Sequence, residues 1–259
     1  IYNAAQDLTS SPKGVKADGD IVINGGSLNI SVTGKSDGSE GLESKSTITI
    51  NAGDVEIYAY DDAMNASTDI TINGGNVYCY AVNNDGIDSN GTLNLNGGVV
   101  IASGTNAPEE GFDCDRSTDF KVTGGILIGT AGAAVSPSTA TSTQRTVIYN
   151  GISATKGAVL CIADSAGTPI LVYALPRTMS GMSLFFSSPD LAAGSYTVST
   201  GGTASGTAWN GYYADGTCSG GTQIGTFTSS SIVTTVGNSG GGPGGGGGGF
   251  PGGGGGGRP

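Results

Sequence analysis

"DITINGGNVYCYA", residues 69–81, alternates apolar and polar side chains on either side of an Asn-Gly-Gly turn. Ile70 and Ile72 lead into the turn, and Val77, Cys79 and Ala81 resume the alternation after it. A period of two marks a strand with one buried face, and the turn glycines supply positive φ at low cost. The pattern recurs as DIVINGGSLNISV (20–32), TITINAGDVEIYA (47–59), TLNLNGGVVIAS (92–103) and DFKVTGGILIGT (119–130). The second turn residue falls at Gly26, Gly53, Gly75, Gly98 and Gly125, at spacings of 27, 22, 23 and 27 residues. A short motif opens each unit: Lys13-Gly-Val-Lys16, Glu40-Gly-Leu-Glu43, Asp62-Ala-Met-Asn65, Asp85-Gly-Ile-Asp88 and Glu110-Gly-Phe-Asp113. Its apolar residue (Val15, Leu42, Met64, Ile87 or Phe112) is expected to point inward between polar neighbours. Three short strands per coil of about 22 residues, stacked about 4.8 Å apart, predict an all-β, right-handed parallel β-helix. A leucine-rich repeat has a similar period but needs a Leu/Asn ladder and a helix-forming half, and neither is read here.

Stacking the coils stacks the motif. One column becomes Lys13, Glu40, Asp62, Asp85, Glu110, and the next Lys16, Glu43, Asn65, Asp88, Asp113. Carboxylates about 5 Å apart repel by roughly 1 kcal/mol in water and by more at a lower effective dielectric. Bound cations are the natural remedy. The donors are all oxygen, which selects a hard ion, and flexible carboxylates with amide oxygens suit calcium better than magnesium. Asp61, Asn84 and Glu109, one position before the motif, are candidate additional ligands. The competing reading is a solvated acidic corner with mobile counterions. Lys13 and Lys16 replace both acids in the first coil and are expected to pair with Glu40 and Glu43, closing the ladder without metal.

Composition agrees. The chain has 259 residues, 49 of them Gly, and no His. Leu, Lys and Arg are scarce, which argues for short strands and turns over long helices. Residues 1–128 carry 18 acidic and 6 basic side chains, and the remainder 3 and 4, giving the net charge of −11. Such an acidic half argues against nucleic acid as a partner, because phosphate binding needs a basic face, and favours cations instead. No apolar run long enough to span a membrane is present, so membrane insertion is not expected. Residue 1 is Ile, without an initiator Met or signal peptide, which is read as a trimmed, mature chain. Cys79, Cys114, Cys161 and Cys218 have no CxxC spacing, which with no His argues against zinc. Their even number fits an oxidising exterior, but the spacing does not give the pairing.

The run GVKADGDIVINGG, SDGSEGLESKSTITI, DDAMNAS, NNDGIDSNGTL and PEEGFDCD resembles a bacterial secreted family of carbohydrate-binding domain-containing proteins. The similarity covers roughly residues 12–240 and is strongest over 13–130. The resemblance implies a pectate-lyase-like β-helix of the clostridial type, which binds cellulose and polygalacturonate and holds calcium. On this chain it implies calcium at Glu40, Glu43, Asp62, Asn65, Asp85, Asp88, Glu110 and Asp113, together with polysaccharide binding. The Gly/Pro tail also looks like tails in this family.

The outward residues of the second strand follow from parity. They are expected as Ser31, Tyr58, Tyr78, Ile101, Ile128 in one column and Thr33, Tyr60, Tyr80, Ser103, Thr130 in the next. Four tyrosines would then form a two-by-two patch, either a stacking platform for sugar rings or a face covered by the C-terminal segment or another copy. Residues 145–236 lose the acidic motif and read as strands of a cap, either sandwich-like or as irregular further coils. The cap is needed because the last coil of a β-helix exposes strand edges. Trp209, Tyr212 and Tyr213 are read as sugar contacts or as a loop packed on that cap. The expected divisions are an N-terminal segment (1–12), the helix with its acidic ladder (13–144), the cap region (145–236) and a tail (237–259).

Catalysis is not expected. A lyase needs one base beside the sugar, and nothing singles one out among Lys35, Lys45, Arg116 and Lys121. A ladder offers no single carboxylate pair of the glycosidase kind, and without His there is no Ser/His/Asp triad. Two classes remain: an extracellular, secreted or cell-surface polysaccharide-binding module (acidic polymers included), and a structural subunit forming a homo-oligomer or filament. Residues 237–259 hold 16 Gly in 23 positions, a composition that alone favours a flexible coil. Pro243, Pro251 and Pro259 favour an extended conformation. The tail is expected to pass into the next subunit, anchored by Phe250 with Arg258 nearby, and so to link copies head to tail; the alternative is that it folds back on its own subunit.

Overall fold

The structure, a computed structural model, describes residues 1–3 and 10–237. Pro243, Phe250, Pro251 and Arg258 lie outside the described residues. The repeat folds as an all-β parallel solenoid of about five turns. Its motif strands, Val15–Ala17, Leu42–Ser44, Met64–Ala66, Ile87–Ser89 and Phe112–Cys114, form one parallel sheet in the expected order. The strands on either side of the Asn-Gly-Gly turn form the rest of the wall. In the first two coils they run on as single long strands, Ile21–Val32 and Ile48–Ala59.

Inside, the coils stack Ile48, Ile70 and Leu93, Ile50, Ile72 and Leu95, and Val55, Val77 and Val100, all fully buried. The turn glycines stack as well. Gly53, Gly75, Gly98 and Gly125 all have positive φ, and a Cβ on Gly98 would come within 2.4 Å of the Gly75 carbonyl oxygen. No other residue satisfies both constraints.

An asparagine ladder is present, contrary to the sequence reading. Asn51 Nδ2 donates to Asn24 Oδ1 (2.7 Å), Asn73 to Asn51 (2.8 Å) and Asn96 to Asn73 (2.9 Å). The reading had treated this Asn only as a turn former. In register, its amide also binds its own copy in the neighbouring coil.

The last coil is closed by the C-terminal region. Met179–Ser187 pairs antiparallel with Ile126–Ala131 and is followed across the sheet by Thr146–Ala154 and Val233–Val236. Phe185 enters the end of the solenoid against Phe112 (5.1 Å between centroids) and Phe120 (5.5 Å). The rest of the region is a six-stranded antiparallel-paired sheet built on Val159–Asp164, Pro169–Ala174, Gly194–Thr200 and Thr222–Ser229, with a two-stranded ribbon, Thr203–Ser205 paired to Thr217–Ser219, beside it. The cap is therefore sandwich-like, not further coils. A second core forms between this sheet and the outer face of the solenoid. Ile101 and Ile128 point out of the coils as expected, yet both are fully buried beneath it. Cys161 and Cys218 form a disulfide, while Cys79 and Cys114 are buried free thiols.

Candidate functional site

Two places carry chemistry: the acidic corner of the coils, and a tyrosine-lined cleft where the solenoid meets the cap.

At the corner, parallel pairing aligns Lys16, Glu43, Asn65, Asp88 and Asp113 as one column. Lys13 Nζ lies 2.7 Å from Glu40 Oε2 and 3.1 Å from Glu43 Oε2, and Lys16 Nζ lies 3.2 Å from Glu43. The expected lysine closure is thus present. Lys45, read from sequence only as a possible base, also pairs with Glu43. Burial opposes ionisation of Glu43, but hydrogen bonds from Lys45, Lys13 and Lys16 outweigh it and hold its carboxyl down at about 2.

Among the described residues, no lysine pairs with the acids of the upper coils. Burial pushes Asp62 up to about 7, Asp85 to about 9, and Asp88 and Glu110 to about 8, with neighbouring carboxylates adding to each. Burial also raises Asp113 and Glu109, and it raises Glu40 against the pull of Lys13. The first-column acids bind backbone as well, a role the sequence reading missed. Asp62 Oδ1 accepts the Asp85 amide (3.0 Å), Asp85 Oδ1 accepts the Glu110 amide, and Glu110 Oε2 accepts the Val135 amide (2.9 Å). Asn65 Nδ2 donates to Asp62 (3.2 Å) and to Asp88 (2.7 Å), so this one amide bridges two acids. Asp61 accepts the Gly38 amide. Among the described residues, Glu40, Asp61 and Asp62 form a carboxylate group whose oxygens lie within 4.8 Å of one another. Asn84 and Glu109 sit in their coils with backbone carbonyls taken by Thr105 (3.0 Å) and Ala133 (2.9 Å).

The tyrosines are not in a two-by-two array. Gly53 and Gly75 are 22 residues apart, and the same step carries Tyr58 onto Tyr80. Tyr78 instead lies beside Glu56 and Ile101. Tyr60 follows the end of its strand, and its carbonyl accepts the Asn83 amide. The true column is Ser31, Tyr58, Tyr80, Ser103, Thr130. The rings of Tyr58 and Tyr80 stack 5.2 Å apart, 4° from parallel.

The cap covers part of this face. Trp209 meets Tyr78 edge-on at 6.4 Å, which places its loop against the tyrosines. Tyr212, in the adjoining short strand, is buried in the second core. Asn210, at φ 46° in a Trp-Asn-Gly turn, donates to Glu56 Oε1 (2.8 Å). Between solenoid and cap a cleft of about 340 Å³ remains, lined by Tyr58, Tyr78, Tyr80, Lys156, Pro176 and Asn210. Tyr58 keeps 42% of its surface exposed. None of Lys35, Lys45, Arg116 and Lys121 lines this cleft. Lys156 and Asn210 were missed because pairing between solenoid and cap leaves no periodic signal in sequence.

Residues 1–83 match the family model described as carbohydrate-binding domain-containing protein. The match spans 83 of the 259 residues, about a third of the chain. It contains Glu40, Glu43, Asp61, Asp62 and Asn65 and all four tyrosines, Tyr58, Tyr60, Tyr78 and Tyr80. No curated protein and no solved structure matches the chain.

Proposed function

We propose that this protein is a non-catalytic, extracellular polysaccharide-binding β-helix that grips glycan at the tyrosine cleft and is stiffened by calcium along its acidic corner. The carbohydrate-binding role is supported by the family match and the fold. The observation that carries its location is Tyr58, a half-exposed aromatic on a flat sheet, stacked on Tyr80 and opening into a cleft with polar walls. Apolar surface of this kind with a few convergent polar groups is the usual form of a ligand site. The test is retention on insoluble cellulose and on polygalacturonate. Tyr58→Ala with Tyr80→Ala should weaken retention about tenfold, the equivalent of about 1.4 kcal/mol. Undiminished retention would remove the cleft from the binding surface. The same incubation with calcium should show no absorbance of an unsaturated sugar product; its appearance would support the lyase alternative.

For calcium, the donor set fits. Glu40, Asp61 and Asp62 offer only oxygen, at mutual distances that one hard cation could bridge. Asp85, Asp88, Glu110 and Asp113 are acids whose ionisation burial opposes. An ion would supply the positive charge that the lysines supply to Glu43.

Assembly through the tail is kept as a further part of the reading, supported by composition alone. Electron microscopy should show fibres for the full chain and none after truncation at Val236. Equal assembly by the truncated chain would end this part.

A further inference from the structure

The tyrosine column is a stack closed at one end. The outer face of Tyr80 is covered by the Arg177 guanidinium, 4.3 Å over the ring. That guanidinium is fixed by donation to Ser103 Oγ (3.0 Å) and to the Ala81 and Ser103 carbonyls. Tyr58 stacks on the inner face of Tyr80. Among the described residues, no ring or cation covers the other face of Tyr58. The next position in the column is Ser31, and the one after it is Tyr2, which is 72% exposed. Arg177, Tyr80, Tyr58, Ser31 and Tyr2 therefore follow one another along the solenoid axis, and only Ser31 brings nothing to stack.

We infer that Ser31 marks a slot for a single neutral pyranose ring of a glycan, held between Tyr58 and Tyr2. This rests on the carbohydrate-binding reading and narrows its ligand. Parallel strands about 4.8 Å apart place the Tyr2 and Tyr58 positions about 9.6 Å apart. Two carbon–carbon contacts of about 4 Å each take up most of that gap and leave room for one ring. The axial C–H groups of a pyranose present a weakly positive, apolar face, which suits the negative face of an aromatic ring on each side.

The rim fits hydroxyl groups. A cleft of about 220 Å³ over Ser31 is lined by Tyr58, Tyr78, Glu56, Asn29 and Asn210. Glu56 accepts from Asn29 (3.2 Å) and from Asn210 (2.8 Å), so the rim offers acceptors and amide groups together. The Glu56 carboxylate repels a second carboxylate at this range, which disfavours a uronic acid in the slot. Asn210 comes from the cap and closes one side.

The experiment compares wild type, Ser31→Tyr and Tyr2→Ala on immobilised neutral polysaccharides and on polygalacturonate, with free glucose, galactose, mannose or xylose as competitor. Wild type should be retained on a neutral polymer and released by one free monosaccharide. Ser31→Tyr fills the slot with a side chain its column already carries at three positions, and it should lose at least tenfold in affinity at unchanged melting temperature. Tyr2→Ala, at an exposed position, should lose several-fold and guards against a folding defect in the first variant. If wild type binds and both variants bind equally well, the slot is wrong while the carbohydrate reading stands. Retention on polygalacturonate alone would overturn the neutral ligand. No retention on any polymer would overturn both.

Discussion

Glu43 and Asp88 hold the same place in their coils, two coils apart in one column. Both are drawn into the wall of the solenoid. Glu43, 1% exposed, is ringed by Lys13, Lys16 and Lys45 and held down at about 2. Burial pushes Asp88 up to about 8, and Asp62, Asp113 and Asp115 add to it. The motif is the same; the counter-charge differs. Two lysines of the first coil, with Lys45 of the second, neutralise one coil of acids. The coils above must find protons or cations instead. A repeat thus fixes geometry without fixing ionisation, which depends on where the column ends.

The largest expected effect breaks that contrast by removing the ion. If calcium is present at about a hundred times its dissociation constant, the native state gains about 2.7 kcal/mol, or roughly 5–10 °C in melting temperature at this chain length. The pH dependence has a definite sign. Unfolded carboxylates titrate near 4, whereas Asp62, Asp88, Glu110 and Asp85 in the folded, metal-free chain titrate at about 7, 8, 8 and 9. Between those values the folded chain holds protons that the unfolded chain has released. The contribution of these four acids to stability is therefore full at pH 5 and falls as pH rises toward 9, whereas that of Glu43 is kept over this range and lost only as pH falls below about 4 toward 2. Chelator should cost little at pH 5 and most at pH 9. Calorimetry at pH 5, 7 and 9 checks this, and identical melting at pH 9 with and without chelator would sink the bound ion.

The coils were legible because their signal is local and repeated. Ile70 and Ile72 before a turn and Val77 after it dictate burial whatever lies elsewhere in the chain. The acidic columns followed from the same arithmetic. The tyrosine column did not, because Tyr58 and Tyr78 look equivalent by parity while the 22-residue step pairs Tyr58 with Tyr80. In a parallel stack, an error of two residues keeps the face and changes the neighbour. The cap's contributions were illegible for a different reason. Arg177 reaches Ser103 and Asn210 reaches Glu56 across 74 and 154 residues, contacts that no periodicity announces. The asparagine ladder was visible in the sequence and misread, since Asn also explains a turn without any ladder.

Smaller effects sharpen the contrast by moving the two carboxylates in opposite directions. Glu43→Gln removes the one charge that three lysines share, leaving only Glu40, paired with Lys13, to offset their mutual repulsion. The expected cost is about 2 kcal/mol, below the roughly 3–5 of a fully buried pair because Lys16 and Lys45 reach solvent. Asp88→Asn should do the reverse in chelator at pH 9. It keeps the shape of the side chain, and its Oδ1 can still accept the Asn65 amide that now binds Asp88 at 2.7 Å. It also repeats the choice the chain already makes at Asn65, one coil below. What it removes is a charge disfavoured by burial and by Asp62, Asp113 and Asp115. A gain of about 1 kcal/mol is expected there, with little gain at pH 5, where Asp88 already carries its proton. Added calcium should shrink the gain, since the ion would then have one anion fewer to hold. Urea denaturation at pH 5 and pH 9, with calcium and with chelator, reads all four cases. If Asp88→Asn is destabilised in chelator at pH 9 as much as Glu43→Gln, the upper acids are satisfied by their hydrogen bonds, and the two coils do not differ in the way their charges imply.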